Sequence, residues 1–212
     1  MDFHNGYFVK KCEKIESLSV LKSQVCNLIR EEFNIECDDD EKVLNQFHEF
    51  VNEVSAIDLN EKRMLLIKKI NQNINFKELI FNSFKDTILD LLGPDLLVQK
   101  NCNIVIQMPN DNNPSELHRD APGNSSYEVV IWIPLVDCYK TKSMYIVDYK
   151  STLELYEDLE KNPDWEYFEK KSIEKSSSVP VNFGEALFFS TAVLHGSHIN
   201  KEAETRISLN IR

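Results

Sequence analysis

His118 and Asp120, in the run Leu-His-Arg-Asp at 117–120, are separated by a single residue. In an extended segment, positions i and i+2 point to the same side. One imidazole and one carboxylate can then reach the same cation. A His-x-Asp triplet arises easily by chance, and alone it describes an ordinary loop. The run Phe-Gly-Glu-Ala-Leu-Phe-Phe-Ser-Thr-Ala-Val-Leu-His-Gly-Ser at 183–197 adds weight. It reads as a turn, an apolar strand, and then His195 followed by Gly196. A histidine at the end of a hydrophobic strand sits at a rim where a pocket opens.

Two histidines and one carboxylate on one face of an octahedral metal leave three positions open, the facial arrangement of non-haem Fe(II) oxygenases. A zinc hydrolase can use the same three ligands. The segment Thr-Arg-Ile-Ser-Leu-Asn-Ile-Arg at 205–212 separates the two chemistries. As a strand it puts Arg206, Ser208, Asn210 and Arg212 on one face and Ile207, Leu209 and Ile211 on the other. The chain turns after His195, around 197–204, and is expected to return beside it. Arg206 then points toward the metal, and its planar fork matches a carboxylate in a bidentate way that lysine does not. Ser208 faces the same side and can donate to the same group. A dicarboxylate bound to metal at one end and to Arg206 and Ser208 at the other describes a site for the co-substrate 2-oxoglutarate.

These residues need a rigid frame. The first hundred residues read mainly as helices. Ile15, Leu18, Leu21, Val25, Leu28 and Ile29 make one apolar stripe over 15–34. The acidic run Asp38–Glu41 starts a second helix over 40–54. Asp58 or Asn60 caps a third, with Met64, Leu65, Ile67 and Ile70 on its apolar side. A fourth runs from Phe76 to Leu92 and stops at Gly93-Pro94. Beyond Pro94 short β-branched runs take over, at 102–108, 127–135, 143–149, 186–190 and 205–212. Strands following helices suggest an α+β chain with an antiparallel sandwich or barrel. A charged insert at 150–180 is either a surface excursion or a lid over the pocket.

Composition narrows the alternatives. The 212 residues suit one domain. A net charge of −11 repels phosphate backbones and disfavours nucleic acid as a partner. No apolar run approaches the roughly 20 residues that span a bilayer, and the N-terminal segment has no secretory pattern. Five scattered cysteines without a Cys-x-x-Cys pair fit a reducing cytoplasm. His198 competes with His195 as a ligand, but its odd spacing turns it away. His4 and His48 sit in the helical half and read as plain surface or core residues.

The order His-x-Asp, His-Gly, then Arg-x-Ser eleven residues after the distal histidine resembles the Fe(II)/2-oxoglutarate dioxygenases, and within them the phytanoyl-CoA dioxygenase-like branch that includes small streptomycin-biosynthesis-type oxygenases. The likeness runs from HNGYFVKK through NIVIQMPNDNNPSELHRD, EVVIWIPLVD and SMYIV to GEALFFSTAVLHGSHINKEAETRISLNIR. It implies a double-stranded β-helix of the jelly-roll or cupin type across 101–212, with 1–100 as a helical layer in a single domain. It implies His118, Asp120 and His195 as iron ligands, Arg206 and Ser208 as the 2-oxoglutarate anchor, and Gln107 and Trp132 on strands lining the pocket. It also implies hydroxylation, with dioxygen consumed and succinate and carbon dioxide released. Because the carboxylate of Asp120 is present, hydroxylation is favoured over halogenation. Asn103, Gln107, Trp132, Tyr145 and Arg212 are candidate pocket residues, and their polarity, with the family analogy, favours a small polar metabolite or sugar-derived substrate. Arg212 either meets an acidic group of that substrate or neutralises nearby carboxylates. A cupin-like metal hydrolase or isomerase and a non-catalytic binding domain are the alternatives.

Overall fold

The structure is a computed structural model that describes residues 3–121, 123, 125 and 127–212. A short strand, β1 (Tyr7–Lys11), precedes six helices: α1 (Ile15–Phe33), α2 (Asp40–Asn45), α3 (Phe47–Phe50), α4 (Ala56–Asn73), α5 (Phe76–Ser83) and α6 (Lys85–Leu92). Strands β2 (Asn103–Gln107), β3 (Val129–Pro134) and β4 (Met144–Ile146) follow, then helices α7 (Tyr149–Lys161) and α8 (Trp165–Lys175). The chain continues through β5 (Ser177–Val179), β6 (Glu185–Ser190), β7 (His195–Ser197) and β8 (Arg206–Ile211). Among the described residues no helix is long and apolar enough to cross a membrane.

The stripe expected over 15–34 is α1, with Leu18, Leu21, Val25 and Ile29 buried. The other helical readings need revision. The second helix breaks at Gln46 and the fourth at Phe84. Phe84 leaves helical geometry at φ −135° because its ring is wholly buried, edge-on to Phe188 with centroids 5.6 Å apart. Burying a large aromatic outweighs one helical turn. Ser55, not Asp58 or Asn60, caps α4, its Oγ accepting from the Asp58 N–H. That helix buries Leu59, Leu66 and Ile70 and leaves Met64 and Leu65 exposed. Glu13 ties the helical layer to β1: its carboxylate accepts from the N–H groups of Asp86 and Thr87 and from the Thr87 hydroxyl, satisfying the start of α6.

All strand pairs are antiparallel. Five strands form one sheet in the order β1-β6-β3-β8-β2, and three form a second in the order β5-β4-β7. The period of two divides the larger sheet cleanly. Ile104, Ile106, Ile131, Ile133, Ile207 and Leu209 join the helices in one core. The alternate residues, Asn103, Val105, Gln107, Val130, Trp132, Arg206 and Asn210, line a cavity of about 490 Å³ that β4 and β7 border on its other side.

Candidate metal centre

His118 and His195 come together through a single antiparallel bridge, each backbone N–H donating to the other's carbonyl at 3.0 Å. Their rings stand 4.4 Å apart. His195 does not end the apolar strand, as the sequence suggested. It opens β7, because the buried pair Val193–Leu194 carries the chain from the larger sheet into the smaller one. His118 and Asp120 lie on the loop that approaches β7 and share a side, as the i, i+2 argument requires.

The three ligand atoms lie within 4.8 Å of one another. The Asp120 carboxylate is 3.6 Å from His118 Nε2 through Oδ1 and 4.0 Å from His195 Nε2 through Oδ2. Metal–ligand bonds of about 2.1 Å hold two ligands roughly 3–4 Å apart, so one cation fits this group with little movement. Both Nδ1 atoms face backbone carbonyls, Glu116 O at 2.7 Å and Val193 O at 3.1 Å. A carbonyl only accepts, so Nδ1 carries the proton in each ring and Nε2 presents its lone pair to the cation. Burial, with His118 alongside, holds the His195 imidazole well below its ordinary pKa and keeps it neutral, the form that binds metal.

Gly196 explains the His-Gly pair physically. A Cβ there would stand 2.8 Å from Ser115 O and 3.0 Å from Glu116 O. The backbone leading to His118 therefore passes where no side chain fits. Arg212 donates to Asp120 Oδ2 at 2.7 Å, so of its two expected roles it fills the neutralising one.

Arg206 lines the cavity from the opposite sheet, and Ser208, two residues along β8, lies buried behind the lining on the same strand face. The expectation that their strand returns beside His195 needs correction: β7 and β8 pair in different sheets. Asn200, buried and donating to Gln107 O and Glu204 O, holds the crossing. Arg206 is 3% exposed and Ser208 wholly buried, yet Arg206 Nε and Nη1 and Ser208 Oγ have no hydrogen-bond partner. Leaving a buried guanidinium unpaired is expensive, so this pair fits an anion supplied from outside the chain. Gln107 and Trp132 lie beside it, Gln107 opposite Arg206 in register and the Trp132 ring 6.0 Å from the guanidinium. Gln107 Nε2 donates to His198 O at 2.6 Å.

Asn103 and Arg212 line the cavity as expected. Tyr145 does not: Met144 takes the inward position on β4, and Tyr145 stacks outside on His198 at 3.7 Å. That stack keeps His198 away from the metal group. His48 faces Thr205, its Nδ1 2.9 Å from Oγ1. Among the described residues, none from the insert at 150–180 lines the cavity. The acceptors and donors around it that sequence reasoning had not singled out are the side chains of Asp111, Asn113, Ser115 and Ser197.

The chain belongs to the phytanoyl-CoA dioxygenase family, whose sequence model matches residues 8–208. No curated protein sequence matches it. Among solved structures it is similar to the nickel complex of the non-haem monooxygenase ThoJ, at 16% identity and a TM-score of 0.56, over 98% of this chain and 73% of that one. It is similar to SnoK, a non-haem α-ketoglutarate-dependent carbocyclase from nogalamycin biosynthesis, at 17% identity and a TM-score of 0.57, over 98% and 79% of the two chains. A third is the epimerase SnoN in complex with Fe3+, α-ketoglutarate and nogalamycin RO, at 13% identity and a TM-score of 0.51, over 98% and 78%. Likeness at these identities speaks to the fold.

Proposed function

We propose that this protein is an Fe(II)- and 2-oxoglutarate-dependent dioxygenase that hydroxylates a C–H bond of a small polar or sugar-derived metabolite. One observation carries the reading. A single cavity of about 490 Å³ has three convergent metal ligands, His118, Asp120 and His195, and also the buried guanidinium of Arg206, whose Nε and Nη1 have no partner, as the Oγ of Ser208 two residues along the same strand has none. A metal hydrolase needs the first set and has no use for the second. The two antiparallel sheets around the cavity are in this reading the faces of a double-stranded β-helix, with the helices as its outer layer and residues 1–212 as one domain. Family membership supports it, and so does the likeness to SnoN, whose structure holds Fe3+ and α-ketoglutarate, another name for 2-oxoglutarate.

When bound, ferrous iron with 2-oxoglutarate and dioxygen supplies the oxidising equivalents for hydroxylation, 2-oxoglutarate leaving as succinate and carbon dioxide. The chain's own work is orientation. His118 and His195 present Nε2 lone pairs because backbone carbonyls hold their Nδ1 protons. Asp120 brings the negative charge, steadied by Arg212. Arg206 and Ser208 receive the far carboxylate, which fixes the length and direction of the co-substrate. Asn103, Asn113 and Asn210 leave carboxamides at the cavity wall for hydroxyl or amine groups of a substrate.

The test is co-substrate turnover. The purified protein with Fe(II), 2-oxoglutarate and oxygen is expected to release succinate slowly without substrate, and His118→Ala or Asp120→Ala to release none. Equal succinate from wild type and either variant would refute the assignment.

A further inference from the structure

Helices α7 and α8 do not line the cavity, and their contacts include the residues that flank the metal ligands. Along 117–120 the side chains alternate. His118 and Asp120 face inward, while Leu117 and Arg119 face the two helices. Leu117 packs against a second apolar cluster made of Val147, Leu155, Phe168 and Leu194. The Arg119 guanidinium lies over the Tyr156 ring, 3.4 Å from its centroid, and Phe168 supports that ring edge-on at 5.1 Å. Leu194, the neighbour of His195, belongs to the same cluster. Its N–H also meets the hydroxyl of Thr152 on α7 at 3.2 Å. The residue before each ligand histidine is thus anchored in one helix pair.

We infer that this helix pair is a buttress for the metal site and that Tyr156 is a positioning residue, holding His118 and Asp120 in register through Arg119. The inference rests on the metal-centre reading above. A guanidinium stacked on an aromatic face is held in a plane, and Arg119 is the residue between two ligands whose side chain reaches the helix pair, while His118 is tied to His195 and the Ala121 N–H to Thr191 O. Removing the ring frees the 118–120 segment and leaves the Arg206–Ser208 end of the cavity untouched.

Tyr156→Leu keeps the apolar bulk and removes the ring face; Tyr156→Phe keeps the ring. Anaerobic equilibrium dialysis against Fe(II), with metal analysis, gives the affinity. Tyr156→Leu is expected to bind about tenfold or more weakly, the usual size of an outer-layer effect on a metal site. Tyr156→Phe should bind as wild type does, and the rise in Tm given by 2-oxoglutarate, measured anaerobically at Fe(II) concentrations that saturate each protein, should match in all three. Equal Fe(II) affinity for Tyr156→Leu and wild type would overturn the inference and leave the metal centre standing. So would an equal loss in Tyr156→Phe, or loss of the 2-oxoglutarate response in Tyr156→Leu. A wild type that takes up no Fe(II) would instead overturn the metal-centre reading itself.

Discussion

The Arg212 guanidinium donates to the Asp120 carboxylate, Nη2 lying 2.7 Å from Oδ2, while Oδ1 of the same carboxylate faces His118 Nε2 at 3.6 Å. One oxygen is held by the residue that follows β8 and the other is turned to the metal position. Arg212→Ala is therefore expected to weaken Fe(II) binding by about 10–100-fold. Arg212→Lys keeps the charge without the planar fork and should lose less. Anaerobic metal dialysis reads both, and unchanged affinity in Arg212→Ala would show that Asp120 needs no such support.

Arg206 makes an opposite prediction for stability and binding. Its guanidinium is buried with two nitrogens unpaired, and such a charge destabilises the ligand-free fold. Arg206→Leu should raise Tm in the absence of 2-oxoglutarate, by about 2–4 °C for each 1 kcal/mol recovered in a chain of this length. The same variant should lose the further rise that 2-oxoglutarate gives the wild type. Differential scanning fluorimetry with and without 2-oxoglutarate checks both halves. A retained co-substrate response would remove Arg206 from the site.

Gly196→Ala tests how the two ligand-bearing segments meet. The added Cβ collides with backbone carbonyls of Ser115 and Glu116, which have no flexible end to move aside. The 115–118 segment must shift, and His118 with it. We expect at least a tenfold loss of Fe(II) affinity with the fold retained by circular dichroism. Wild-type affinity would mean that the close approach is unimportant.

The grouping of His118, Asp120 and His195 is legible in the sequence because its spacing is local. His-x-Asp, His-Gly and Arg-x-Ser each encode a geometry within three residues, and the period of two on β8 places Arg206 and Ser208 on one face without knowledge of the fold. What the sequence does not carry is pairing across distance. The β1 strand escapes notice because its partner is β6, nearly 180 positions away, where Phe8 stacks on Phe188 at 5.1 Å. The three-residue strands β4 and β7 are too short for alternation to show a face, which is why Tyr145 rather than Met144 was expected inside. In α4 the apolar run Met64-Leu65-Leu66-Ile67 fits more than one helix face, and only packing selects Leu66. Arg119 reads as a spacer between two ligands until Tyr156, on an insert with no chemical signature, is seen beneath it.

Acid should weaken the metal-free fold through His195. Burial is the main cause of its lowered pKa, and His118 adds to it. The unfolded chain accepts a proton near the ordinary histidine value of about 6.5, while the folded chain resists it until lower pH. Stability from this group is complete above pH 6.5 and is lost as pH falls through the folded-state value of about 4. Between pH 6.5 and 5, above the range of ordinary carboxylates, wild-type Tm should fall more steeply than that of His195→Asn. Parallel slopes would mean that His195 gains its proton as easily folded as unfolded.

The central claim is that one cavity holds iron at His118, Asp120 and His195 and 2-oxoglutarate between that iron and Arg206. The most direct measurement is optical and anaerobic. Fe(II) is added to the metal-free protein, then 2-oxoglutarate, and the visible spectrum is followed for the weak charge-transfer band of the chelate, with Asp120→Ala and Arg206→Leu alongside. The account predicts the band in wild type, its absence in Asp120→Ala, and a much higher 2-oxoglutarate concentration for Arg206→Leu. Tight Fe(II) binding by wild type with no band at saturating 2-oxoglutarate would contradict it, leaving a metal site that serves another chemistry.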